Sequence, residues 1–152
     1  MLTGTHFNDA NLEGVDLSDK DLTGTILTGA DLSGVDLSGT VLTGVDLSGL
    51  SSLSGAILTG ADLSNSILTG VDLSGLNLSG AILTKADLSN SILTGVDLSG
   101  VDLTGTILAG VDLSRASTTV CPRMILFSFD LKIENWWISP TSFNIWISRL
   151  FL

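Results

Sequence analysis

The chain has 152 residues, with 16 acidic and 6 basic side chains and a net charge of −10. This balance argues against direct binding to the phosphate backbone of nucleic acid, because that contact needs clustered Lys and Arg. A lone cysteine, Cys121, excludes an internal disulfide. The first residues lack the basic start and apolar run of a signal peptide, so we expect a cytoplasmic protein.

From Leu2 onward the sequence repeats every five residues. Leucine, or Phe7 once, fills every fifth position to Leu47, and after a one-residue slip the series resumes at Leu53 and runs to Leu113. There are 10 such residues before the slip and 13 after it, or 23 units in all. The leucine is termed the centre of its unit. The preceding two positions are usually a small or β-branched residue and Asp, and the following two are Ser or Thr and Gly.

A period of five fits neither an α-helix, which needs apolar residues three and four apart, nor a strand, which needs them two apart. A glycine in most units supplies a permissive backbone at which the chain can bend. The pattern therefore predicts a coil that turns a corner every five residues and stacks on itself. The centre and the small residue would line its interior.

The units ADLSG, ADLSN and VDLTG resemble the A(D/N)LXX motif of pentapeptide-repeat proteins. The resemblance covers about residues 2 to 116, so we predict a repeat domain over 1–116. It implies an all-β fold, a right-handed quadrilateral β-helix with four units per coil. Three departures stand out: Lys20 and Leu76 occupy positions for small inward residues, and Ser51 and Ser52 mark the slip, for which we expect a local bulge that keeps the coil.

Four units per coil place every fourth unit in one column. The residue before the centre then reads Asp21, Val41, Asp62, Ile82, Asp102 in one column and His6, Ile26, Asp46, Ile67, Asp87, Ile107 in the next. Asp and an apolar residue alternate, which separates like charges that would otherwise lie directly opposite. The other two columns alternate less well, with Asp16 beside Asp36. Duplication of a 25-residue block, seen in ADLSNSILTGVDLSG at 61–75 and 86–100, is an equally good reason for the alternation.

The aspartates before the centres are the candidate acidic interaction surface. They are Asp16, Asp21, Asp31, Asp36, Asp46, Asp62, Asp72, Asp87, Asp97, Asp102 and Asp112.

The repeat ends at about Arg115, and residues 117–152 form a segment of different composition. The part from 115 on contains all three Trp and four of the five Phe. ILFSFDLKI alternates apolar and polar residues, as a half-buried strand does. The segment could cap the last coil, form a homodimer contact, or be appended sequence with no selected role. Its candidate cap or dimer contacts are Phe127, Phe129, Trp136, Trp137, Phe143 and Trp146.

No membrane span is expected in that segment, because its longest uncharged run, from Asn135 to Ser148, has 14 residues and contains Pro140. Nor does the sequence indicate an enzyme, a metal site or a cofactor. The single histidine, His6, has no partner residues, and the many Ser and Thr have no base to activate them.

Two functions remain from this reading. The first is a non-enzymatic scaffold that binds another protein. The second, implied by the resemblance, is an acidic DNA mimic that binds DNA gyrase or another type II topoisomerase and protects against quinolones. An inert spacer is a third alternative.

Overall fold

A computed structural model describes residues 2–111, 113 and 116 of the chain. These residues form a right-handed quadrilateral β-helix. The β-bridges between successive coils are parallel and one residue long, and the described part contains no helix and no longer strand. Bridges join residues 20 apart, such as His6 with Ile26, which confirms four units per coil.

The bridge residue of each unit is the one before the centre, and the bridges define four flat faces. Face 1 carries His6, Ile26, Asp46, Ile67, Asp87 and Ile107. Face 2 carries Asn11, Asp31, Ser52, Asp72 and Ile92. Face 3 carries Asp16, Asp36, Ile57, Asn77 and Asp97. Face 4 carries Asp21, Val41, Asp62, Ile82 and Asp102.

The corners between faces are hydrogen-bonded turns. In the unit of Leu22, the N–H of Thr25 donates to the centre's carbonyl over 3.0 Å, and Gly24 between them has a φ of 69°. A positive φ at the third residue is what a type II turn requires, and glycine adopts it without steric cost. Five units instead place another residue in this left-handed region. They are Asp9, Asp19, Asn65, Lys85 and Asn90.

The unit from Asp31 to Val35 shows how each backbone N–H finds an acceptor. Asp31 donates to the preceding coil, and Leu32 and Gly34 donate to the following coil, each over 2.9 Å. Val35 closes the turn by donating to the carbonyl of Leu32 over 3.2 Å. The remaining N–H, that of Ser33, donates to the carboxylate of Asp31 over 2.9 Å. The aspartate therefore supplies the one acceptor that the stacked backbone does not.

The interior is a column of leucines lined by small residues. From Leu17 to Leu103, every centre is at most 8% exposed. Two small polar residues satisfy their hydroxyls on backbone carbonyls, Thr40 on that of Leu17 and Ser66 on that of Leu63. The equally buried hydroxyls of Thr25 and Ser91 have no hydrogen-bond partner. The predicted inward placement of the leucines is confirmed.

The one-residue slip is a bulge that keeps the coil, as predicted. Bridges across it join residues 21 apart, as in Asp46 with Ile67, and the spacing returns to 20 at Ile57 with Asn77. The ladder is locally interrupted, since in the described chain no bridge joins Ile26 to Asp46 or Ser52 to Asp72. An open groove of about 380 Å³ lies there. It is lined by Ser48, Leu50, Ser51, Ser52, Leu53, Ser54, Gly70, Val71, Asp72 and Ser74.

The two other departures have different outcomes. Lys20 does not enter the core: its side chain is exposed, and its ammonium donates to the carbonyl of Ser18 over 2.9 Å. Leu76 is buried. The ladder bond that its carbonyl accepts from Asp97 is stretched to 3.4 Å, where the equivalent bonds in other units measure 2.9–3.2 Å. The larger side chain therefore fits at the cost of a longer contact between coils.

Lys85→Gly is expected to stabilise the fold by about 0.5–1 kcal/mol, because a side chain at a φ of 60° is strained and glycine is not. Thermal or urea unfolding followed by circular dichroism measures the change. The control is Thr84→Gly at the neighbouring turn position, which lacks a positive φ and should lose stability. A Lys85→Gly protein no more stable than the parent would contradict the strain at this corner.

Candidate interaction surface

The predicted acidic surface is a belt around the rod and not a single patch. Ten of its eleven aspartates lie in the described part, and they are divided among all four faces. Asp16 and Asp36 on face 3 are direct bridge partners, as predicted from placing every fourth unit in one column. On faces 1 and 4 the bridges confirm the predicted alternation of Asp with Ile or Val. Asp112 lies outside the described residues.

Each of these ten aspartates accepts a hydrogen bond from the N–H two residues later, over 2.9–3.0 Å. This side chain to backbone bond is an Asx turn. In several units the serine hydroxyl donates to the same oxygen, at 2.6 Å from Ser18 to Asp16 and 2.7 Å from Ser48 to Asp46. The carboxylates are thus held in place by their own units.

In six of these aspartates the hydrogen bonds lower the pKa of the carboxyl group. For Asp16 the largest cause is the hydroxyl of Ser18, followed by its N–H, and both favour the ionised form. At Asp62 burial is the largest single influence and raises the pKa, but the hydrogen bonds of Ser64 and the hydroxyl of Thr43 on the preceding coil outweigh it. The aspartates whose pKa is lowered are Asp16, Asp21, Asp31, Asp62, Asp72 and Asp87.

The structural role of these aspartates was not predicted, although the sequence contains its signal. Units with Asp at the bridge position mostly have Ser two residues later, as in Asp31–Ser33, whereas units with Ile or Val have Thr in all cases but Ile107, as in Ile67–Thr69. Serine can donate to the carboxylate of its own unit. Threonine can reach the coil that follows, since the hydroxyl of Thr69 contributes to the lowered pKa of Asp87.

Between the carboxylates the faces expose isoleucines. Ile26, Ile67 and Ile107 on face 1 are 40%, 41% and 50% exposed. Ile57 on face 3 and Ile92 on face 2 are exposed to a similar extent. The outer surface therefore combines apolar side chains with charged groups whose positions are set by the backbone.

The candidate cap or dimer contacts Phe127, Phe129, Trp136, Trp137, Phe143 and Trp146 lie outside the described residues. Their role and the boundary at residue 117 stay predictions. Within residues 2–111, 113 and 116, no group of three acidic, His or Cys side chains could hold a metal ion. The same residues include no helix with the length and apolar character to cross a bilayer.

The family model described as pentapeptide repeats matches residues 5–44, 51–84 and 81–117. These matches cover more than half of the chain, and they leave out 45–50, directly before the bulge at Ser51. No curated protein sequence matches the chain.

Several solved structures are similar to the chain. HetL from the cyanobacterium Nostoc sp. strain PCC 7120, described as a pentapeptide repeat protein involved in heterocyst differentiation regulation, is 32% identical with a TM-score of 0.54. The match covers 73% of this chain and 60% of HetL. Rfr23 from the cyanobacterium Cyanothece 51142 is 29% identical over 70% of this chain and 86% of that protein, with a TM-score of 0.37.

QnrB1, a plasmid-mediated fluoroquinolone resistance protein, is also similar, at 24% identity over 74% of this chain and 69% of that one. Its TM-score is 0.37.

Stability should fall in acid. Because the aspartate pKa values are lower in the folded chain than in the unfolded one, their stabilisation is present above the unfolded pKa of about 3.9 and is lost as the pH falls through the folded values. We expect the melting temperature to be level from pH 7 to about 5 and to drop below about pH 4. Circular dichroism melts at each pH test this. A melting temperature that rises on acidification would show instead that charge repulsion dominates.

Two variants, Asp62→Asn and Asp62→Ala, distinguish the contribution of the hydrogen-bond acceptor to stability from the contribution of the charge. Asn77 already accepts the N–H and hydroxyl of Ser79 in the same geometry, at 2.9 and 2.6 Å, so the Asn variant should stay folded and lose only the charge-assisted part of the bond, which is less than the Ala variant loses. The Ala variant loses the acceptor and should be destabilised by about 0.5–1.5 kcal/mol, measured by urea unfolding. Equal losses in both variants would mean that the charge matters more than the turn bond.

Proposed function

Since the chain belongs to the pentapeptide-repeat family, we propose that it is a non-enzymatic scaffold that binds another protein through the outer faces of its β-helix. Proteins of this family are generally non-enzymatic scaffolds. Some take part in regulation and others in quinolone resistance.

The observation that carries the proposal is the combination of positioned carboxylates and half-exposed isoleucines on the same flat faces. Protein interfaces combine apolar contact area with polar groups that select the partner. Here both kinds of group sit on a backbone that is held in place by hydrogen bonds between the stacked coils. Little side-chain freedom would be lost at the turn-bound aspartates on binding, which favours affinity.

HetL, which is similar over 73% of this chain, is described as involved in the regulation of differentiation. Regulation through protein contact is therefore the broad role that this likeness supports. The chain spans 60% of the length of HetL, so the particular process and partner of HetL are not carried over.

A DNA mimic is the second candidate, and the charge density favours it. The repeat region 1–114 has 14 acidic and 2 basic residues, a net charge of −12. On a rod of about 27 Å, estimated from a coil spacing of about 4.8 Å, this is close to one charge per 2.3 Å, compared with about one per 1.7 Å in duplex DNA. The target would be DNA gyrase or another type II topoisomerase. Isoleucines interrupt the charge on every face, so we place the scaffold first.

For residues 117–152 we propose a cap over the last coil, with a homodimer contact as the alternative. Repeat proteins need a different sequence at their ends, because a terminal coil leaves its interior and backbone edge uncovered. Light scattering of the whole chain and of a Trp136→Ser, Trp137→Ser variant distinguishes the two: loss of a dimer supports the contact, and loss of stability in a monomer supports the cap.

The scaffold is tested by capture from a lysate of the source organism with the tagged whole chain at micromolar concentration. We expect a defined protein to be retained and to be lost when Asp46, Asp62, Asp87 and Asp102 are replaced by Asn, which the fold should accept. Quantitative mass spectrometry against a tag-only control measures retention. A chain that retains nothing above that control, while folded and monomeric, would overturn the scaffold.

A supercoiling assay with purified gyrase tests the mimic. The mimic predicts inhibition or quinolone protection at micromolar chain, reduced by the same four Asp→Asn changes. If the parent chain affects neither supercoiling nor the action of quinolones, the DNA-mimic proposal is wrong, and the scaffold proposal is unaffected.

A further inference from the structure

We infer that face 1, from Asp46 to Ile107, binds a basic amphipathic helix of a partner protein, laid along the axis of the rod. The inference rests on the proposed function in taking the partner to be a protein. It adds which face binds and which chemistry is recognised. The helix would alternate apolar and basic residues at spacings of three and four.

The ladder of face 1 is continuous over this stretch. Asp46 bridges to Ile67, Ile67 to Asp87, and Asp87 to Ile107. Ile67 and Ile107 are 41% and 50% exposed, and the carboxylates of Asp46 and Asp87 accept hydrogen bonds from their own units. The stretch thus presents four side chains in the order acid, apolar, acid, apolar.

The edges of this surface leave room for a helix. Five of the eight second turn positions beside it are glycines, which have no side chain to project: Gly44, Gly49, Gly70, Gly105 and Gly110. The others are Asn65, Lys85 and Asn90. Lys85, on the edge shared with face 4, is the one basic side chain beside this stretch in the described chain.

The spacing along the rod matches a helix and not a strand. Coils stack about 4.8 Å apart, so Ile67 and Ile107, two coils apart, are separated by about 9.6 Å. Seven residues of an α-helix rise about 10.5 Å, and a crossing angle of about 24° projects that rise onto 9.6 Å. Same-side residues of a strand recur every 6.6–6.8 Å, which fits neither one coil nor two.

Charge excludes a second copy of face 1 as the occupant. A twofold axis through Ile67 would set Asp46 against Asp87 of the other copy. Shifting the two copies by one coil relative to each other would place each isoleucine opposite an aspartate and leave the carboxylates without a partner of opposite charge. Like charges in contact and unpaired charges both oppose association. A helix with Lys or Arg midway between its apolar residues pairs both aspartates instead.

Face 1 suits such a helix better than the other faces do. Faces 2 and 3 each have one isoleucine, Ile92 and Ile57. Face 4 also alternates, but of its two apolar residues only Ile82 is exposed, since Val41 is half-buried. Face 4 is therefore the competing site, and Ile82→Ser is the variant that reports on it.

The test measures binding of a designed fluorescent peptide of about three heptads to the whole chain by anisotropy. The peptide carries Leu and Lys alternately at spacings of three and four on one side, with Ala and Gln elsewhere. A scrambled peptide of the same composition and a peptide with Glu for Lys are the controls. We expect the basic peptide to bind at least about tenfold more tightly than both, and less tightly as salt is raised.

Matched variants locate the site. Ile67→Ser with Ile107→Ser should weaken binding about tenfold, because both contacts lie at the centre of the surface. Ile57→Ser with Ile92→Ser, whose parent residues are 44% and 43% exposed, should change it less than about twofold, as should Ile82→Ser. Asp46→Asn with Asp87→Asn should remove most of the salt dependence, and Asp36→Asn with Asp97→Asn on face 3 should not.

Circular dichroism confirms that each variant is folded. Equal binding of the scrambled peptide, equal loss from the face 2 and 3 variants, or larger loss from Ile82→Ser would overturn the assignment. A decrease in self-association of the chain when Ile67 and Ile107 are replaced, measured by light scattering, would also overturn the assignment, because a second copy would then be the occupant of face 1.

Comparison with lysate capture separates this inference from the proposed function. A captured protein that the Ile67→Ser, Ile107→Ser chain still retains overturns the assignment of face 1 and leaves the scaffold intact. Specific binding of the basic peptide supports the helix site, even where nothing is captured and the scaffold proposal fails.

Discussion

The fold depends on a backbone that closes a corner every five residues and, in a regular unit, pairs four of its five N–H groups with backbone carbonyls. Two of the five donate to the following coil, one to the preceding coil, and one across the turn. The fifth N–H belongs to the residue directly after the centre, and no backbone carbonyl accepts it. Where the bridge residue is Asp or Asn, its side-chain oxygen accepts this hydrogen bond. Burial of the leucines then follows from the stacking, because the corner directs each centre into the same narrow interior.

Periodicity was sufficient for part of this architecture. A five-residue period with Gly at the end of the unit excludes helix and strand and leaves a bent coil, so the inward leucines could be predicted. The columns of bridge residues needed in addition the four units per coil that the resemblance to pentapeptide-repeat proteins implied. The slip at Ser51 was also predictable as a bulge, since one extra residue moves the register from 20 to 21 without turning any centre outward. Its local consequence, a ladder open between Ser52 and Asp72, depends on three-dimensional contacts that spacing does not encode.

The aspartates show the limit of reasoning from charge. Counting them predicts an acidic surface, and columns of four predict where they lie, but neither reveals why Asp is followed by Ser and Ile by Thr. The reason is a hydrogen bond within the unit for Ser, and for threonines such as Thr43 a contact with the coil that follows. Lys20 shows a related limit, because its flexible stem lets the charged end leave a nominally inward position that a composition rule assigns to the core.

The same turn bond that completes the backbone also shapes what the surface can recognise. The carboxylate of Asp87 accepts its own unit's N–H and hydroxyl, which lowers its pKa and fixes its orientation, so its charge is presented to a partner without further ordering. Asparagine at position 77 makes the same bonds without the charge. Structure and recognition at these positions are therefore separable. Since the turn bond itself needs only an oxygen, the excess of Asp over Asn at the bridge positions reflects what the charge adds: a stronger turn bond, solubility of the rod, or recognition of a charged partner.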